Sequence, residues 1–432
     1  MAASHSAQDM VRPGECMDLY YYDGETSKKQ CFPTTQNTKY VQVFANLTGG
    51  SSVFTIPPQN GIQDIVCEFQ LAAIAGAAGP QLAALAIPRG WGYALIKQVS
   101  FRYGGSSQYF LTGDQLLQNA LRRQPSRTTA DDLFTLGGNF ANGAGGGAGN
   151  LDSVQNASVV LTLPHATPSG IGKAHPFPTD LLTQQVQVTV ELNPIASIFS
   201  ISVNAPAGTA AFIPNALANA QFQVQQVMLN NQSDALARRV DMAVNAYAFP
   251  CEFVQQRAAI PLANSADPQP VVLTGFRSGE VKAIHCWLAR TTEQTSATVK
   301  QPFNWYLPTS IQMTYAGDVY ARYDYASSPL WNLINGDKAP AWDNLTYVDA
   351  GGAGAGVVNT AGSLSQWVEL PFAQTLVDED SHYILSHGKP ITNGIVNLLV
   401  QTPTAQADWV LYVSYIYNST LLMSQGTCDY VF

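Results

Sequence analysis

Short stretches with alternating apolar and polar residues recur along the chain after residue 38. Clear examples are GSSVFTI (50–56), QQVQVTVELN (184–193), VKAIHCWLA (281–289) and WVLYVSYIYN (409–418). They are rich in β-branched and aromatic residues and are bounded by turn residues, which is typical of β-strands. Many short strands joined by long loops predict sandwiches or barrels. The pattern therefore predicts an all-β protein.

Few segments have a helical pattern. The clearest is TGDQLLQNALRR (112–123), in which Asp114 is the candidate N-terminal cap and Arg122-Arg123 close the C-terminus. The most apolar stretch, 71–96, contains Pro80, Pro88 and Arg89. These interruptions make it too broken for a membrane span. The sequence thus predicts a few short helices in loops.

The chain of 432 residues is long enough for two or three domains. Gly/Ala loops occur once in each half, at 137–150 and 349–362, which indicates a duplicated architecture. Turn signals after VDMAVNAYAFPCEF indicate a boundary near 250–262. We predict an N-terminal arm at 1–38, a first sandwich at 39–256 and a second at 257–432.

The predicted arm lacks sustained periodicity but contains three consecutive tyrosines. Tyr20, Tyr21 and Tyr22 are candidates for anchoring the arm on a neighbouring molecule. A partly ordered terminus without such a contact is the equally weighted alternative.

Charge is scarce in this sequence. Asp, Glu, Lys and Arg make up 12% of the residues, and the formal net charge is −9. The charged share of an ordinary globular protein is about 25%. Nucleic-acid surfaces need clustered Lys and Arg, so direct binding of nucleic acid is not expected. A low charge also suits a chain that buries much of its surface against neighbours.

The sequence lacks the motifs of common catalytic and metal sites. Six cysteines form no C-x-x-C pair, and six histidines show no metal-binding helical spacing. His285 and Cys286 are adjacent in an apolar strand, where a structural pair is favoured over a catalytic dyad. The run Asp378-Glu379-Asp380 fits a solvated loop better than a cation site. We therefore expect no enzymatic activity, no cofactor and no bound metal.

One segment resembles a known family. In PRGWGYALIKQVSFRYGGSSQYFLTGDQLLQNAL (88–121), an aromatic residue and a glycine precede a strand of the type A-L-I-K-x-V. A Gly-Gly turn and a short helix follow. This run resembles the signature of double jelly-roll major capsid proteins of nucleocytoplasmic large DNA viruses, virophages and polinton-like viruses. The sequence departs from the signature after Gly104-Gly105, where Ser-Ser-Gln stands.

Further runs fall in the same order as in that family and extend the resemblance to about 88–432. They are 163–192, 240–260, 275–290, 308–335 and 409–432. The resemblance implies two tandem jelly-roll β-sandwiches, a double jelly roll. It implies a structural subunit that forms pseudo-hexagonal homotrimeric capsomers of an icosahedral dsDNA virus capsid. The virion is the expected location, after assembly inside the host cell.

The resemblance also implies the partners. These are neighbouring capsomers, minor capsid and penton proteins and, through the N-terminal arm, an internal membrane. Two other classes stay open on the residues alone. A jelly-roll lectin or adhesin would bind glycans as a stable monomer, and an enzyme on a β fold would show paired carboxylates or a metal site.

Overall fold

The structure is a computed structural model. It describes residues 35–58, 61–77, 79–104, 108–122, 132–133, 135–143, 150–163, 177–229, 240, 246–295, 302–324, 367–372, 375–376, 385–386, 389–391 and 395–431. Tyr20, Tyr21 and Tyr22 lie outside the described residues, as do 144–149 of the first Gly/Ala loop and the whole of the second.

Eleven strands are described before residue 230. They are β1 (Thr35–Val43), β2 (Gly50–Ile56), β3 (Gly61–Leu71), β4 (Leu85–Ile87), β5 (Ile96–Tyr103), β6 (Tyr109–Leu111), β7 (Ala141–Asn142), β8 (Gln155–Leu161), β9 (Val186–Leu192), β10 (Ser200–Ile201) and β11 (Asn219–Leu229).

Thirteen strands follow from residue 247 onward. They are β12 (Tyr247–Gln256), β13 (Ile260–Pro261), β14 (Gln269–Leu273), β15 (Glu280–Arg290), β16 (Ser310–Tyr315), β17 (Asp318–Asp324), β18 (Val368–Pro371), β19 (Thr375–Leu376), β20 (Leu385–Ser386), β21 (Lys389–Pro390), β22 (Val396–Gln401), β23 (Trp409–Ser424) and β24 (Thr427–Val431).

The described helices are short and lie between strands. They are α1 (Gly79–Ala83), α2 (Trp91–Leu95), α3 (Gly113–Arg122) and α4 (Thr291–Thr295), with 3-10 turns at Thr179–Leu181, Ile195–Ile198 and Thr209–Phe212. Among the described residues, no helix has the length and apolarity needed to cross a membrane.

The strands form two sandwiches of the same topology. The first pairs sheet I (β1-β11-β3-β8) with sheet II (β2-β9-β5-β6), and the second pairs sheet III (β12-β23-β15-β18) with sheet IV (β14-β22-β16-β17). Sheet III also carries β13, β21 and β24. When the eight principal strands of each half are counted in chain order, both halves give 1-8-3-6 and 2-7-4-5. Eight antiparallel strands in this arrangement make a jelly roll.

The prediction of two tandem jelly rolls in an all-β chain is therefore confirmed. The division of the chain at residue 256 stays a prediction. Hydrogen bonding pairs β12 with β23 over the whole range Tyr247–Gln256. Pro250 lies inside β12, which a proline tolerates because β12 is an edge strand and needs no second ladder partner.

The cores lie between the paired sheets. In β9 the valines point inward and Gln187, Thr189 and Glu191 point outward. In the first sandwich, Phe54 stacks on Phe222 at 4.2 Å between ring centroids, joining β2 of sheet II to β11 of sheet I. Such stacking adds to the burial of the two rings.

Candidate functional site

The two sandwiches meet at a junction built from aromatic side chains. Tyr109 of β6 lies 5.3 Å from Phe253 of β12 and 6.0 Å from Tyr430 of β24, measured between ring centroids. Phe253 and Tyr430 are 5.5 Å apart in an edge-on arrangement. One ring thus comes from the first sandwich and two from the second. Their mutual burial joins the two sandwiches.

A hairpin turn of the second sandwich docks on the first beside this cluster. Gln425 and Gly426 connect β23 to β24 with φ values of 50° and 80°. Two central residues with positive φ are typical of a type I′ turn. The carbonyl oxygen of Gly426 accepts hydrogen bonds from the backbone N–H of Thr183 at 2.8 Å and from its hydroxyl at 3.0 Å. A Cβ at position 426 would come 2.3 Å from Cγ2 of Thr183.

Helix α3 provides a third contact between the sandwiches. The Thr112 N–H donates to Oε1 of Gln115 at 3.0 Å, and the Gln115 N–H donates to Oγ1 of Thr112 at 3.4 Å. This reciprocal pair is a capping box. The Thr112 hydroxyl donates to Gln256 at 3.1 Å, and the Gln115 amide reaches Ser414 of β23 at 3.5 Å.

The prediction that Asp114 caps this helix is wrong. Thr112 precedes the first helical residue and its hydroxyl is placed to accept from the N–H three residues on, whereas Asp114 is already inside the first turn. Burial raises the pKa of Asp114 to about 7. Its charge contributes, after burial itself, to the raised pKa of Tyr412 on β23.

Sheet III contains buried charged groups. The Lys282 ammonium lies 2.7 Å from Oε1 of Glu252, and both side chains are almost fully buried. Nε2 of His285 lies 3.5 Å from Oε2 of Glu369, also buried, on the adjacent strand β18. Burying charges is costly unless they are paired, so the contact between Lys282 and Glu252 favours one arrangement of β12 and β15.

The structure separates His285 from Cys286. Consecutive strand residues point to opposite faces of a sheet. His285 faces Glu369 and Ser414, which are its register partners, and so has no contact with the neighbouring thiol that would activate it. This agrees with the prediction of a structural pair.

The described cysteines are free and buried, namely Cys67, Cys251, Cys286 and Cys428. Burial raises the pKa of Cys251 to about 12, and it raises the pKa of the other three thiols further. These thiols are therefore protonated at neutral pH, and a protonated thiol is a poor nucleophile and metal ligand. Within the described ranges, no group of three or more His, Cys, Asp or Glu is placed to hold a metal ion.

Most of the junction was not predicted from the sequence. Thr183, Phe253, Gly426 and Tyr430 are not among the residues for which the sequence predicts a contact. The signal for the hairpin was present as Gln-Gly between two alternating runs. The predicted interaction residues Tyr20, Tyr21 and Tyr22, and the run Asp378-Glu379-Asp380, lie outside the described residues and stay predictions.

The strand order, the paired sandwiches and the junction define the chain as a double jelly-roll protein. It has the fold of VP54 of PBCV-1, solved as a crystal structure and fitted into a reconstruction of the virophage Sputnik. The TM-score is 0.62 at 12% identity, over 93% of this chain and 97% of that one.

Two other major capsid proteins share the fold. The Faustovirus protein matches with a TM-score of 0.58 at 10% identity, over 91% of each chain. The mavirus protein matches with a TM-score of 0.52 at 11% identity, over 92% of this chain and 90% of that one. No protein-family model and no curated protein matches this sequence. The resemblance predicted from residues 88–432 is thus confirmed at the level of fold.

Proposed function

We propose that this protein is a major capsid protein, a structural subunit of a viral shell located in the virion. The observation that carries the proposal is the complete double jelly roll, shared over nine-tenths of the chain with capsid subunits such as the Faustovirus protein. The proposed role is geometric and involves no chemical step.

The finer part of the proposal is a homotrimer. Two sandwiches joined side by side approximate one third of a hexagon, so three copies make a pseudo-hexagonal capsomer that tiles an icosahedral lattice. The junction supports this, because Tyr109, Phe253 and the docked turn at Gly426 fix the two sandwiches against each other. A subunit that tiles a lattice needs such a fixed geometry.

The proposed partners are neighbouring capsomers and minor capsid and penton proteins. The arm at 1–38, with Tyr20, Tyr21 and Tyr22, is the proposed contact to a neighbour or to an internal membrane. The low charge content supports this role, because charged residues are depleted in the cores of interfaces.

Native mass measurement of the purified full chain tests the proposal. We expect a species of three times the 46.4 kDa subunit mass, and pseudo-hexagonal particles by electron microscopy. A stable monomer at every concentration, with binding on a glycan array, would contradict the capsid role and favour a lectin.

A further inference from the structure

A lysine, an asparagine and a glutamate lie together on one face of sheet III. The strand β23 runs between β12 and β15, and its Asn418 is the register partner of Glu252 on β12 and of Glu280 on β15. Directly opposed residues of an antiparallel pair have their side chains on the same face, with Cβ atoms about 5 Å apart. Lys282 follows two residues after Glu280, at a bulge in β15. Three side chains of complementary chemistry thus come from three neighbouring strands.

The side chain of Lys282 crosses β23 close to Asn418. Its Nζ reaches Oε1 of Glu252 at 2.7 Å, although β23 separates β15 from β12. Neighbouring strands lie about 4.8 Å apart, so a side chain that reaches the second strand along passes over the strand between. The residue of β23 that faces Glu252 is Asn418. The lysine nitrogen therefore lies at the strand position of Asn418.

The lysine and the glutamate face each other away from bulk water. The side chains of Lys282 and Glu252 are 4% and 6% exposed. The next row on the same face is apolar and buried, and it consists of Val254, Ile416 and Ala283. Asn418 itself is partly exposed, so a small molecule released from its side chain has a route to solvent.

This grouping is suited to forming an amide bond between two side chains. Transfer of a proton from the Lys282 ammonium to the Glu252 carboxylate gives a neutral amine, which is the nucleophilic form. Burial lowers the cost of this transfer, because two buried charges are replaced by none. The amine can then attack Cγ of Asn418, while Glu252 donates a proton to the departing amide nitrogen.

We propose that Lys282 and Asn418 join in an isopeptide bond, with Glu252 as the catalytic residue. A bond forms between Nζ of Lys282 and Cγ of Asn418, and the bond between Cγ and Nδ2 of Asn418 breaks. The Lys282 ammonium gives up two protons, which Glu252 passes to the departing nitrogen. That nitrogen leaves as ammonium, and Glu252 ends as the carboxylate that it was at the start. The reaction needs no oxidant and no second substrate.

The bond would tie β15 to β23, the two central strands of sheet III. It forms once in each chain, so it goes beyond the proposed capsid function and leaves that role geometric. The ion pair of Lys282 and Glu252 belongs to the chain before the reaction. The effects of breaking this ion pair refer to the unreacted form, which Asn418→Ala preserves.

Intact mass measurement of the purified and denatured full chain tests the proposal. We expect the wild-type chain to be lighter than its sequence mass by one ammonia molecule, about 17 Da. Proteolysis should then give one branched peptide that joins residues 282 and 418. A folded wild-type chain without this branched peptide, or a loss of ammonia located at any other position, overturns the proposal.

Two variants should keep the full mass. Asn418→Ala removes the reacting carboxamide at a partly exposed position, and Glu252→Gln keeps both reacting groups but cannot accept a proton. Asn156→Ala, at an exposed asparagine of β8, is the matched control and should retain the loss of ammonia. A branched peptide in Glu252→Gln overturns the role of Glu252. The masses are read on separated chains, so a failure here leaves the proposed trimer untouched, and native mass measurement tests that trimer independently.

Discussion

The strands of the first sandwich and those of sheet III differ in how many of their faces are buried. In β2, β8 and β9, inward residues are buried and their neighbours are at least partly exposed. In β15 every residue from Val281 to Ala289 is buried, and in β23 so are nearly all residues from Trp409 to Tyr417. Sheet III is thus covered on both faces, which is unusual for an antiparallel sheet.

The difference explains where the second sandwich buries its ionisable side chains. In the described part of the second sandwich, Glu252, Lys282, His285 and Glu369 are all buried and all belong to sheet III. In the first sandwich a comparable ion pair lies at the surface, where Nζ of Lys97 is 2.7 Å from Oε1 of Glu191. A strand buried on both faces has no solvent side for its polar residues, so they must be paired inside.

The largest expected effect is a difference in stability between variants that break these two ion pairs. The N–O distance is 2.7 Å in both pairs. Lys282→Met removes the ammonium group that faces the buried Glu252 carboxylate and should lower the free energy of unfolding by about 3–5 kcal/mol. Lys97→Met breaks a pair whose side chains are 59% and 32% exposed, and it should cost less than about 1 kcal/mol. Urea denaturation of both variants measures the contrast.

The double variant Lys282→Met/Glu252→Leu sharpens this comparison. Removing both charges should recover most of the lost stability, because the cost comes from burying a carboxylate that no longer faces an ammonium group rather than from the missing attraction itself. Equal losses for Lys282→Met and Lys97→Met would show that sheet III is not the more buried environment.

The next effect concerns the turn that fixes one sandwich on the other. Gly426→Ala places a Cβ against Thr183 and forces alanine to a φ of 80°, so we expect a loss of about 2–3 kcal/mol. Gly317 lies in the β16–β17 turn at a φ of 93° with open space around it. Gly317→Ala should therefore lose only the stability that the unfavourable backbone conformation costs. Thermal unfolding of the two variants isolates the docking contact.

Thr183→Ser in the Gly426→Ala background removes the methyl group that the new Cβ meets and keeps the hydroxyl. We expect the double variant to approach Gly317→Ala in stability. If Gly426→Ala loses no more stability than Gly317→Ala, the contact between the turn and Thr183 does not contribute to stability.

The regular alternation of the first sandwich made its strands predictable. GSSVFTI coincides with β2, QQVQVTVELN contains β9, and β5 begins within the A-L-I-K-x-V run. The central strand β3 was missed, although buried Ile65, Cys67, Phe69 and Leu71 alternate with less buried residues. A bulge opposite Gln225 and Gln226 breaks this alternation at the start of the strand.

Sheet III shows what a sequence pattern could not give. The strand β12 runs from Tyr247 through Pro250 to Gln256, so a strand occupies the first part of the stretch 250–262 that was predicted as a boundary. The junction could not be predicted for a different reason. Tyr109 contacts Phe253 and Tyr430, which lie more than 140 residues away in the sequence. Contacts between sandwiches depend on the packing of whole sheets, so they produce no periodic pattern in the local sequence.

The smallest expected effect is a pH dependence at the junction. Burial raises the pKa of Asp114 from its ordinary value of 3.8 to about 7. Between these values the unfolded chain loses a proton that the folded chain keeps, so the free energy of unfolding should fall as pH rises from about 4 to about 7. The Asp114 residue is only partly buried and the first turn of α3 favours the carboxylate, and together these reduce the expected effect to about 1–2 kcal/mol.

Asp114→Asn should remove this dependence of the free energy of unfolding on pH, and the variant should be more stable than wild type above pH 7. Chemical denaturation between pH 4 and pH 8 measures it, with Asp152→Asn, an exposed carboxyl of the same sandwich, as the control for net charge. A slope unchanged in Asp114→Asn would place the responsible group elsewhere.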